Sequence, residues 1–498
     1  MFAKHPKGLS IIIFTEIWER FSFFGIRALL ILFLINKLEF TDASAFQLYG
    51  AFFTLMYGAP VIGGYVAGRY LGYVNSVITG SLLMAIGSFL LGVCAGILEP
   101  NDAIGILSYV NLESIVFYGS FALLGVGLGL VKPSLASIMS ALYEGKDEIR
   151  DSGFTFYYIG INFGAALAAI SIGYIGQKVG WMYGFFLTSA AMIIGLITIL
   201  YGKKIFNSVL HETLHSQNNL NGSVRSIALY AGGIVTALII FWWLVQSFQL
   251  AGWIILILGI LSIVGTIFYA IVYLEPLARD KLMVSFIIII IGTTFWVLLA
   301  QTGGALTLFT DRVVDKNLWG INLEASQFQA FNPLFIIFLG PLMGLLWPAL
   351  KKRDLEPIGT VKFGAGLLIM ASGFWFISII SSHTNGELIG AWYLILTYLL
   401  ITIGELLVGP ISLSLISKLS PRNLTGMMIG IWFLSSAVSE FISAKLATQF
   451  TSTDFTAGSI TTWAMLYGEL FEFLAIIAVI SGAFLLVLTP IFKSKLKI

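Results

Sequence analysis

The stretch Glu16-Ile17-Trp18-Glu19-Arg20-Phe21 lies inside an apolar segment, residues 9–36, that is long enough to cross a membrane. A charged side chain at the centre of a bilayer helix costs about 3 kcal/mol, so three such groups within five residues indicate a functional site. On a helix, Glu16, Arg20 and the later Arg27 share one face, with Glu19 at its edge. The alternative is an ion cluster that only holds helices together, but Arg20 can neutralise only one of the two carboxylates.

The overall composition is that of a membrane protein. Of the 498 residues, 58% are hydrophobic and 10% are charged, and the mean hydropathy is +0.95. A soluble domain carries about 25% charged residues, so lipid must solvate much of this surface. The net charge of +2, without a basic patch interleaved with aromatic residues, argues against a nucleic-acid partner.

The sequence predicts no metal and no cofactor. The single cysteine, Cys94, lies in an apolar segment and can build neither a disulfide framework nor a thiolate metal site. All four histidines fall outside the apolar segments. His211 and His215 have the i, i+4 spacing of a metal-binding pair, but a solvated loop is the favoured interpretation.

Fourteen apolar segments are each long enough to cross about 30 Å of hydrocarbon. They cover residues 9–36, 46–70, 74–98, 108–142, 153–177, 181–202, 226–247, 251–275, 283–310, 327–350, 359–381, 389–417, 425–449 and 465–492. The first segment is not a cleaved signal peptide, because a signal needs an uncharged core. The sequence therefore predicts a multi-pass protein of the cytoplasmic membrane.

The distribution of basic residues predicts the orientation of these spans. With the N-terminus in the cytoplasm, the loops place 18 Lys and Arg residues inside and five outside. Cytoplasmic loops carry the excess of positive charge in membrane proteins. Both termini are therefore expected in the cytoplasm, as an even number of spans also requires.

A weak internal repeat predicts two halves. The second segment ends in Gly63-Gly64 and leads into a basic turn at Arg69, while the tenth ends in Gly340-Pro341 and leads into Lys351-Lys352-Arg353. Two parallel six-helix halves are a transporter plan. The predicted domains are a six-helix bundle over 1–203, a linker with two inserted helices over 204–280, and a second six-helix bundle over 281–498.

Two further charges lie at membrane depth, Lys132 in the first half and Glu405 in the second. Each needs a partner or water there, so a functional role is favoured, and we expect the two to pair between halves. Asn162 and Asn332 add polar groups at comparable depth, either as ligands or as packing hydrogen bonds. Trp432 lies well inside its segment, where it could wall a cavity.

The run Gly125-Val126-Gly127-Leu128-Gly129 precedes Lys132. Small residues at every second position are typical of close helix packing. A phosphate-binding loop would need a Lys followed by Ser or Thr, and Pro133 follows here instead. Helix packing is therefore the favoured interpretation of the run.

Motifs along nearly the whole chain resemble the proton-dependent oligopeptide transporter family of the major facilitator superfamily. The motifs are Glu16-x-x-Glu19-Arg20-Phe21, Lys132-Pro133, Phe156-Tyr157-Tyr158-Ile159-Gly160-Ile161-Asn162, Asn332-Pro333, Glu405-Leu406 with Pro410, and Lys418-Leu419-Ser420-Pro421. The resemblance implies an all-α fold of two six-helix bundles, here with two inserted helices. It also implies monomeric import of di- and tripeptides, or peptide-like compounds, together with protons.

The resemblance also implies roles for individual residues. Glu16, Glu19 and Arg20, with Glu405, would couple transport to protons. Arg20 and Lys132 would hold a peptide carboxylate, and Lys132 would pair with Glu405 as a gate. The amino group of the peptide would meet Glu405, Asn162 and Asn332. The remaining residues expected at the substrate are Arg27, Tyr57, Gln301 and Trp432.

Some positions depart from the family. Ala300 stands where helix seven usually carries an acid, Phe23 and Phe24 replace the usual tyrosines, and Gly68 replaces an aspartate. These changes affect the expected substrate and proton stoichiometry. The alternative function is transport of another small organic ion with weak or no proton coupling. A membrane-embedded enzyme is more remote, because such an enzyme needs a nucleophile with a base, or metal-binding histidines within the membrane.

Overall fold

The computed structural model describes residues 5–100, 102, 111–214, 224–421, 424–451 and 458–496. Fourteen long α-helices dominate this part of the chain. They are α1 (Leu9–Asn36), α2 (Asp42–Val66), α3 (Tyr73–Ile97), α4 (Leu112–Leu142), α5 (Asp147–Tyr174), α6 (Trp181–Leu214), α7 (Val224–Val245), α8 (Phe248–Tyr273), α9 (Pro276–Ala300), α11 (Phe331–Lys351), α12 (Gly359–Ser382), α13 (Ala391–Leu419), α14 (Thr425–Thr451) and α15 (Ile460–Leu496), with the short α10 (Ala305–Val313) between α9 and α11.

Short elements complete these helices. Single π-helical turns, Ala67–Leu71 and Ile175–Val179, follow α2 and α5, and a 3₁₀ turn, Ala325–Ala330, precedes α11. Four two-residue strands lie near α10 and before α13. They are β1 (Val314–Asp315), β2 (Asn317–Leu318), β3 (Ile321–Asn322) and β4 (Ile389–Gly390). Strand β1 pairs in parallel with β4, and β2 pairs in antiparallel with β3.

The prediction of an all-helical protein with fourteen membrane spans is confirmed. Thirteen spans have the length and apolar composition needed to cross a bilayer. The remaining long helix, α1, carries four charged residues, whose side chains are all buried. Helix α1 therefore turns its charged side chains inward, as the cost of exposing them to lipid requires.

The structure corrects two predicted boundaries. The segment predicted over 283–310 is interrupted by a turn at residues 301–304, because the Gly303-Gly304 pair favours a break between α9 and α10. Helix α6 continues to Leu214, so the predicted linker begins as helix. His215, the second residue of the predicted His pair, lies outside the described residues.

The described chain forms two compact units. The first unit comprises residues up to Phe40 and Ala51–Ala251. Helix α3 packs against α4 and α6, and α1 packs against α5 and α6. A Cβ on Gly80 of α3 would lie 2.5 Å from the backbone oxygen of Gly127 on α4, so these helices meet too closely for any side chain at this position. The interpretation of the glycine run as a packing surface is confirmed.

The second unit comprises Thr41–Gly50 and the chain from Gly252 onward. Helix α12 packs against α13 and α15, and α9 packs against α14. A two-pronged ion pair joins the first turn of α2 to α10. The Arg312 guanidinium donates to both Asp42 carboxylate oxygens, at 2.6 and 2.7 Å, and lies 3.9 Å from the ring centroid of Trp463.

The two inserted helices divide between the units. Helix α7 belongs to the first unit, where Phe241 lies against Gly125 of α4. Helix α8 belongs to the second unit, where Gly252 lies against Phe441 of α14. Each inserted helix is thus an added layer on one unit. The domain limits predicted at 203 and 280 stay a prediction.

Candidate functional site

The charged residues of α1 form one buried ion cluster. Arg20 Nε lies 3.3 Å from Glu16 Oε1, and Arg20 Nη2 donates to Glu19 Oε1 at 2.6 Å. A second contact joins Arg20 Nε to Glu19. Glu16, Glu19 and Arg20 are 4%, 1% and 5% exposed. One guanidinium thus binds two carboxylates, which leaves the cluster with an excess negative charge when both are ionised.

Tyr157 of α5 completes this cluster. Its hydroxyl donates to Glu16 Oε2 at 2.6 Å, so Glu16 is held by α5 as well as by Arg20. The sequence placed Tyr157 in a quoted motif but assigned it no role. Tyr157 and Glu16 lie on different helices, so no residue spacing in the sequence indicates their hydrogen bond. The motif that contains Tyr157 is the only sequence feature that points to this residue.

A second group in the first unit combines cations with aromatic rings. Arg27 Nη1 donates to the Tyr57 hydroxyl at 3.3 Å, and its guanidinium lies 5.2 Å from the centroid of the Phe53 ring. Lys132 Nζ lies 5.0 Å from the centroid of the same Tyr57 ring. Cation–π contacts of this kind stabilise a cation away from water. The predicted residues Arg27, Tyr57 and Lys132 therefore lie together.

Phe23, one of the departures from the family, joins the two groups of the first unit. Its ring lies 5.0 Å from the Arg20 guanidinium carbon and 5.8 Å from the Tyr57 ring. A tyrosine here would add a hydroxyl to this ring. Phenylalanine instead offers Arg20 only the face of its ring, so this part of the site is less polar.

Asn162, predicted at the substrate, uses its amide within its own helix. Its Nδ2 donates to the backbone oxygen of Tyr158, four residues earlier, at 2.9 Å. Side chains with short polar groups often bond to helix carbonyls in this way. The contact matches the packing interpretation that the sequence left open, and the ligand role of Asn162 stays a prediction.

In the second unit, Glu405 is held by neutral groups. Asn332 Nδ2 donates to Glu405 Oε2 at 2.7 Å and to Thr402 Oγ1 at 3.1 Å. The Thr402 hydroxyl in turn donates to the backbone oxygen of Tyr398 at 2.7 Å. The structure thus brings the predicted pair Asn332 and Glu405 together, and it adds Thr402, which the sequence did not indicate.

Gln301 and Trp432, also predicted at the substrate, are both buried in the second unit. Gln301 Nε2 donates to the backbone oxygen of Ser443 at 3.3 Å. The Trp432 ring is stacked on Phe295, with centroids 6.5 Å apart, and lies 5.7 Å from the Trp296 ring. These contacts fix α14 against α9. Substrate contact by Gln301 and Trp432 stays a prediction.

The two units thus carry different chemistry. The first unit holds the guanidinium groups of Arg20 and Arg27 and the ammonium of Lys132, which suit binding of a carboxylate or another anion. The second unit holds the carboxylate of Glu405, which accepts from the Asn332 amide and suits binding of an ammonium group or a proton.

Comparison with known proteins gives consistent matches. Residues 74–464 match the model of the POT family. The chain is 31% identical to the uncharacterized transporter YclF of Bacillus subtilis (strain 168), over 100% of this chain and 96% of that protein. It is 30% identical to dipeptide and tripeptide permease B of Salmonella typhimurium, over 89% and 87%. The crystal structure of peptide transporter POT in complex with sulfate superposes with a TM-score of 0.81 at 29% identity, over 99% of this chain and 96% of that chain.

Proposed function

The chain belongs to the POT family, and on that premise we propose that it imports di- and tripeptides, or peptide-like compounds, together with protons. The predicted family and the predicted major facilitator fold are both confirmed. The observation that carries the substrate proposal is the separation of charge. The first unit holds the buried cations Arg20 and Arg27 and the half-buried Lys132, and the second unit holds the half-buried carboxylate of Glu405. A peptide with free termini carries one charge of each sign.

We assign the two ends of the peptide to residues of opposite charge. Arg20 and Lys132 bind the carboxylate of the peptide, because a guanidinium can bind a carboxylate in two-pronged fashion and the ammonium adds charge. Glu405 and its hydrogen-bond donor Asn332 receive the amino group. Arg27, Tyr57, Asn162, Gln301 and Trp432 complete the proposed substrate environment.

Proton coupling follows from competition for Arg20. A substrate carboxylate that engages Arg20 weakens the hold of this guanidinium on Glu16 and Glu19, so one of the acids is freed to take up a proton. Binding of substrate and binding of the proton then favour each other, and such coupling is reciprocal. Glu405 is the third proposed proton carrier, and its pairing with Lys132 as a gate stays a prediction.

The proposal also includes the membrane location, the orientation and the oligomeric state of the protein. The chain acts as a monomeric transporter, not an enzyme, in the cytoplasmic membrane with both termini in the cytoplasm. A family of transporters and relatives named as permeases support a transport role. Alternating access, with one six-helix half rocking against the other, is the family plan that this proposal adopts.

Uptake into proteoliposomes tests the proposal. With an inward proton gradient, the parent protein should accumulate labelled alanylalanine above the external concentration, and a protonophore should abolish this accumulation. Lys132→Ala should bind the dipeptide weakly and accumulate none. Accumulation by Lys132→Ala equal to the parent would remove Lys132 from the site and the gate.

The departures at Ala300 and Phe23 favour testing the alternative ligand class in the same preparation. A thermal-shift screen of dipeptides, amino acids and other small organic ions measures which of them bind the folded state, because a bound ligand raises its stability. Stabilisation by single amino acids or organic anions, with none by peptides, would replace the peptide assignment with the alternative.

A further inference from the structure

Glu440 is a buried carboxylate that the proposed mechanism does not use. It is the sixteenth residue of the 27-residue helix α14, so it lies near the middle of a membrane span. Its side chain is 5% exposed. An ionisable group at this depth is costly for folding, and such groups commonly mark proton or substrate pathways in transporters.

Neighbouring contacts place Glu440 beside the end of α9. One residue before it, the Ser439 hydroxyl donates to the Thr293 backbone oxygen at 3.1 Å. Three residues after it, the backbone oxygen of Ser443 accepts from Gln301 Nε2 at 3.3 Å. The helical turn that carries Glu440 is therefore held against α9 between Thr293 and Gln301, next to Ala300.

Helical geometry assigns Glu440 to one flank of α14. At about 100° per residue, Glu440 is about 60° from Ser443, which faces α9, and about 20° from Phe433. Phe433 is 39% exposed, whereas Phe441, on another side of the helix, lies against Gly252 of α8. Glu440 thus lies between the face that packs on α9 and a face that is accessible nearer the start of α14.

The helices packed against α14 in its unit carry few charges. Helix α8 contains none, and α9 contains none after Lys281. Helix α13 contributes Glu405, already assigned to the site, and Lys418 in its last turn. On α14 itself, the Lys445 ammonium lies 6.0 Å from the centroid of the Trp253 ring. On α15, the acidic residues of the membrane span are Glu469 and Glu472, and both are exposed.

We propose that Glu440 is a further proton-carrying carboxylate of the transport cycle, in the second unit beside Ala300. The inference rests on the proposed function as a proton-coupled transporter. In each cycle the ionised carboxylate accepts one proton from water on the side of higher proton concentration and returns it to water on the other side. Glu440 is restored to its ionised form, and no other reactant is consumed.

Paired transport assays test this role. Glu440→Gln in proteoliposomes should lower proton-driven accumulation of alanylalanine by about tenfold or more, the size expected for loss of a coupling interaction. Its uptake should also lose stimulation by external acid. Exchange of internal for external dipeptide without a gradient should persist, because exchange needs no net proton movement. Glu440→Asp, which keeps an ionisable group, should restore the acid stimulation.

Relocation of the carboxylate sharpens the test. Ala300→Glu combined with Glu440→Gln should regain acid stimulation, because the new acid lies on the adjoining turn of α9. Glu472→Gln, at an exposed acid of α15, is the matched control and should behave as the parent. An unchanged pH profile in Glu440→Gln would overturn the proposal, as would joint loss of exchange and accumulation that Glu440→Asp does not restore.

A substrate-free measurement separates this inference from the proposed function. Proton binding by the substrate-free parent and by Glu440→Gln is measured by acid titration of the purified proteins, and the difference in protons bound per molecule should change with pH. If the parent accumulates no peptide, the proposed function is wrong, and this measurement alone then tests whether Glu440 carries a proton. A difference that stays constant with pH would then overturn the inference.

Discussion

The α1 ion cluster of the first unit and the Glu405 group of the second hold their carboxylates in opposite ways, and the carboxylates of α1 are buried whereas Glu405 is half-buried. In the first, Arg20 binds Glu16 and Glu19 through charged contacts. In the second, Asn332 binds Glu405 through a neutral amide. Protonation therefore has different consequences, since the α1 cluster keeps a fixed cation whereas the Glu405 group becomes uncharged. In the α1 cluster, protonation of Glu16 or Glu19 depends on whether a substrate engages Arg20. Protonation of Glu405 depends on the proton concentration, because no cation holds its carboxylate in the described second unit.

The first prediction has the largest expected effect on stability and concerns Arg20, the cation that holds both carboxylates of the α1 cluster. Arg20→Ala leaves two carboxylates buried on one helix without their guanidinium. Removing one partner of a buried ion pair costs about 3 to 5 kcal/mol. We expect a large fall in the melting temperature of purified protein and loss of uptake.

Compensating variants make this prediction specific. Adding Glu19→Gln to Arg20→Ala should recover part of the lost stability, because one uncompensated carboxylate is gone. Arg20→Lys should keep most of the stability but bind dipeptide weakly, since an ammonium cannot reproduce two-pronged contact. If Arg20→Ala melts like the parent, the ion cluster does not stabilise the fold, and this side of the comparison fails.

The second prediction removes the neutral donor of the other group. Asn332→Ala deprives Glu405 of its amide hydrogen bond, and a hydrogen bond to a charged group contributes about 2 kcal/mol to stability. The melting temperature should fall less than in Arg20→Ala, and addition of external acid should narrow the gap from the parent because a protonated Glu405 needs no donor for its charge. Thr402→Val is the control, since it touches the same amide but leaves the bond to Glu405. Equal losses in Asn332→Ala and Arg20→Ala would erase the distinction between the two groups.

Much of the α1 cluster could be predicted from the sequence, because its members lie within one helical turn. The i, i+4 spacing of Glu16 and Arg20 forces them onto one face, and the cost of lipid exposure forces that face inward. The fourteen spans could also be predicted, because a helix that crosses the hydrocarbon needs about 20 apolar residues. Lys132, Asn332 and Glu405 were identifiable as costly polar groups in apolar segments.

Contacts between distant helices could not be predicted in this way. The hydrogen bond from Tyr157 to Glu16 joins residues 141 positions apart, and the Arg312–Asp42 pair joins residues 270 apart. Asn162 shows the reverse problem, because an amide can satisfy itself on its own helix. Polarity at membrane depth predicts that a partner exists, but only the packing of helices decides which group it is.

The third prediction tests whether the hydrogen bond from Tyr157 stabilises Glu16 as the hydrogen bond from Asn332 stabilises Glu405. Tyr157→Phe removes one donor to Glu16, but Arg20 remains, so the loss should be about 1.5 kcal/mol, smaller than for Asn332→Ala. The melting temperature measures this loss. Tyr174→Phe, at an exposed tyrosine near the end of the same helix, is the control and should melt like the parent. A loss larger than that of Asn332→Ala would mean that Tyr157, not Arg20, is the main support of Glu16.

The last and smallest prediction concerns a carboxylate in the loop between α11 and α12, outside the membrane. Lys362 Nζ donates to Glu356 Oε1 at 2.6 Å, and this hydrogen bond lowers the pKa of Glu356 below its ordinary value of 4.5. A group with a lowered pKa stabilises the folded state above its ordinary pKa, and that stabilisation is lost as the pH falls through the folded value.

Glu356→Gln should therefore melt slightly below the parent near neutral pH, and the two melting temperatures should converge on acidification. Added salt should also bring the two melting temperatures together, because the side chain of Glu356 is 30% exposed and ions screen a charge that water reaches. Melting curves against pH and salt, with the exposed Glu387→Gln as control, measure this effect. A difference in melting temperature that persists in acid and in salt would mean that the partly exposed carboxylate of Glu356 behaves like the buried carboxylates of α1. Burial would then not be what separates the carboxylates of this protein.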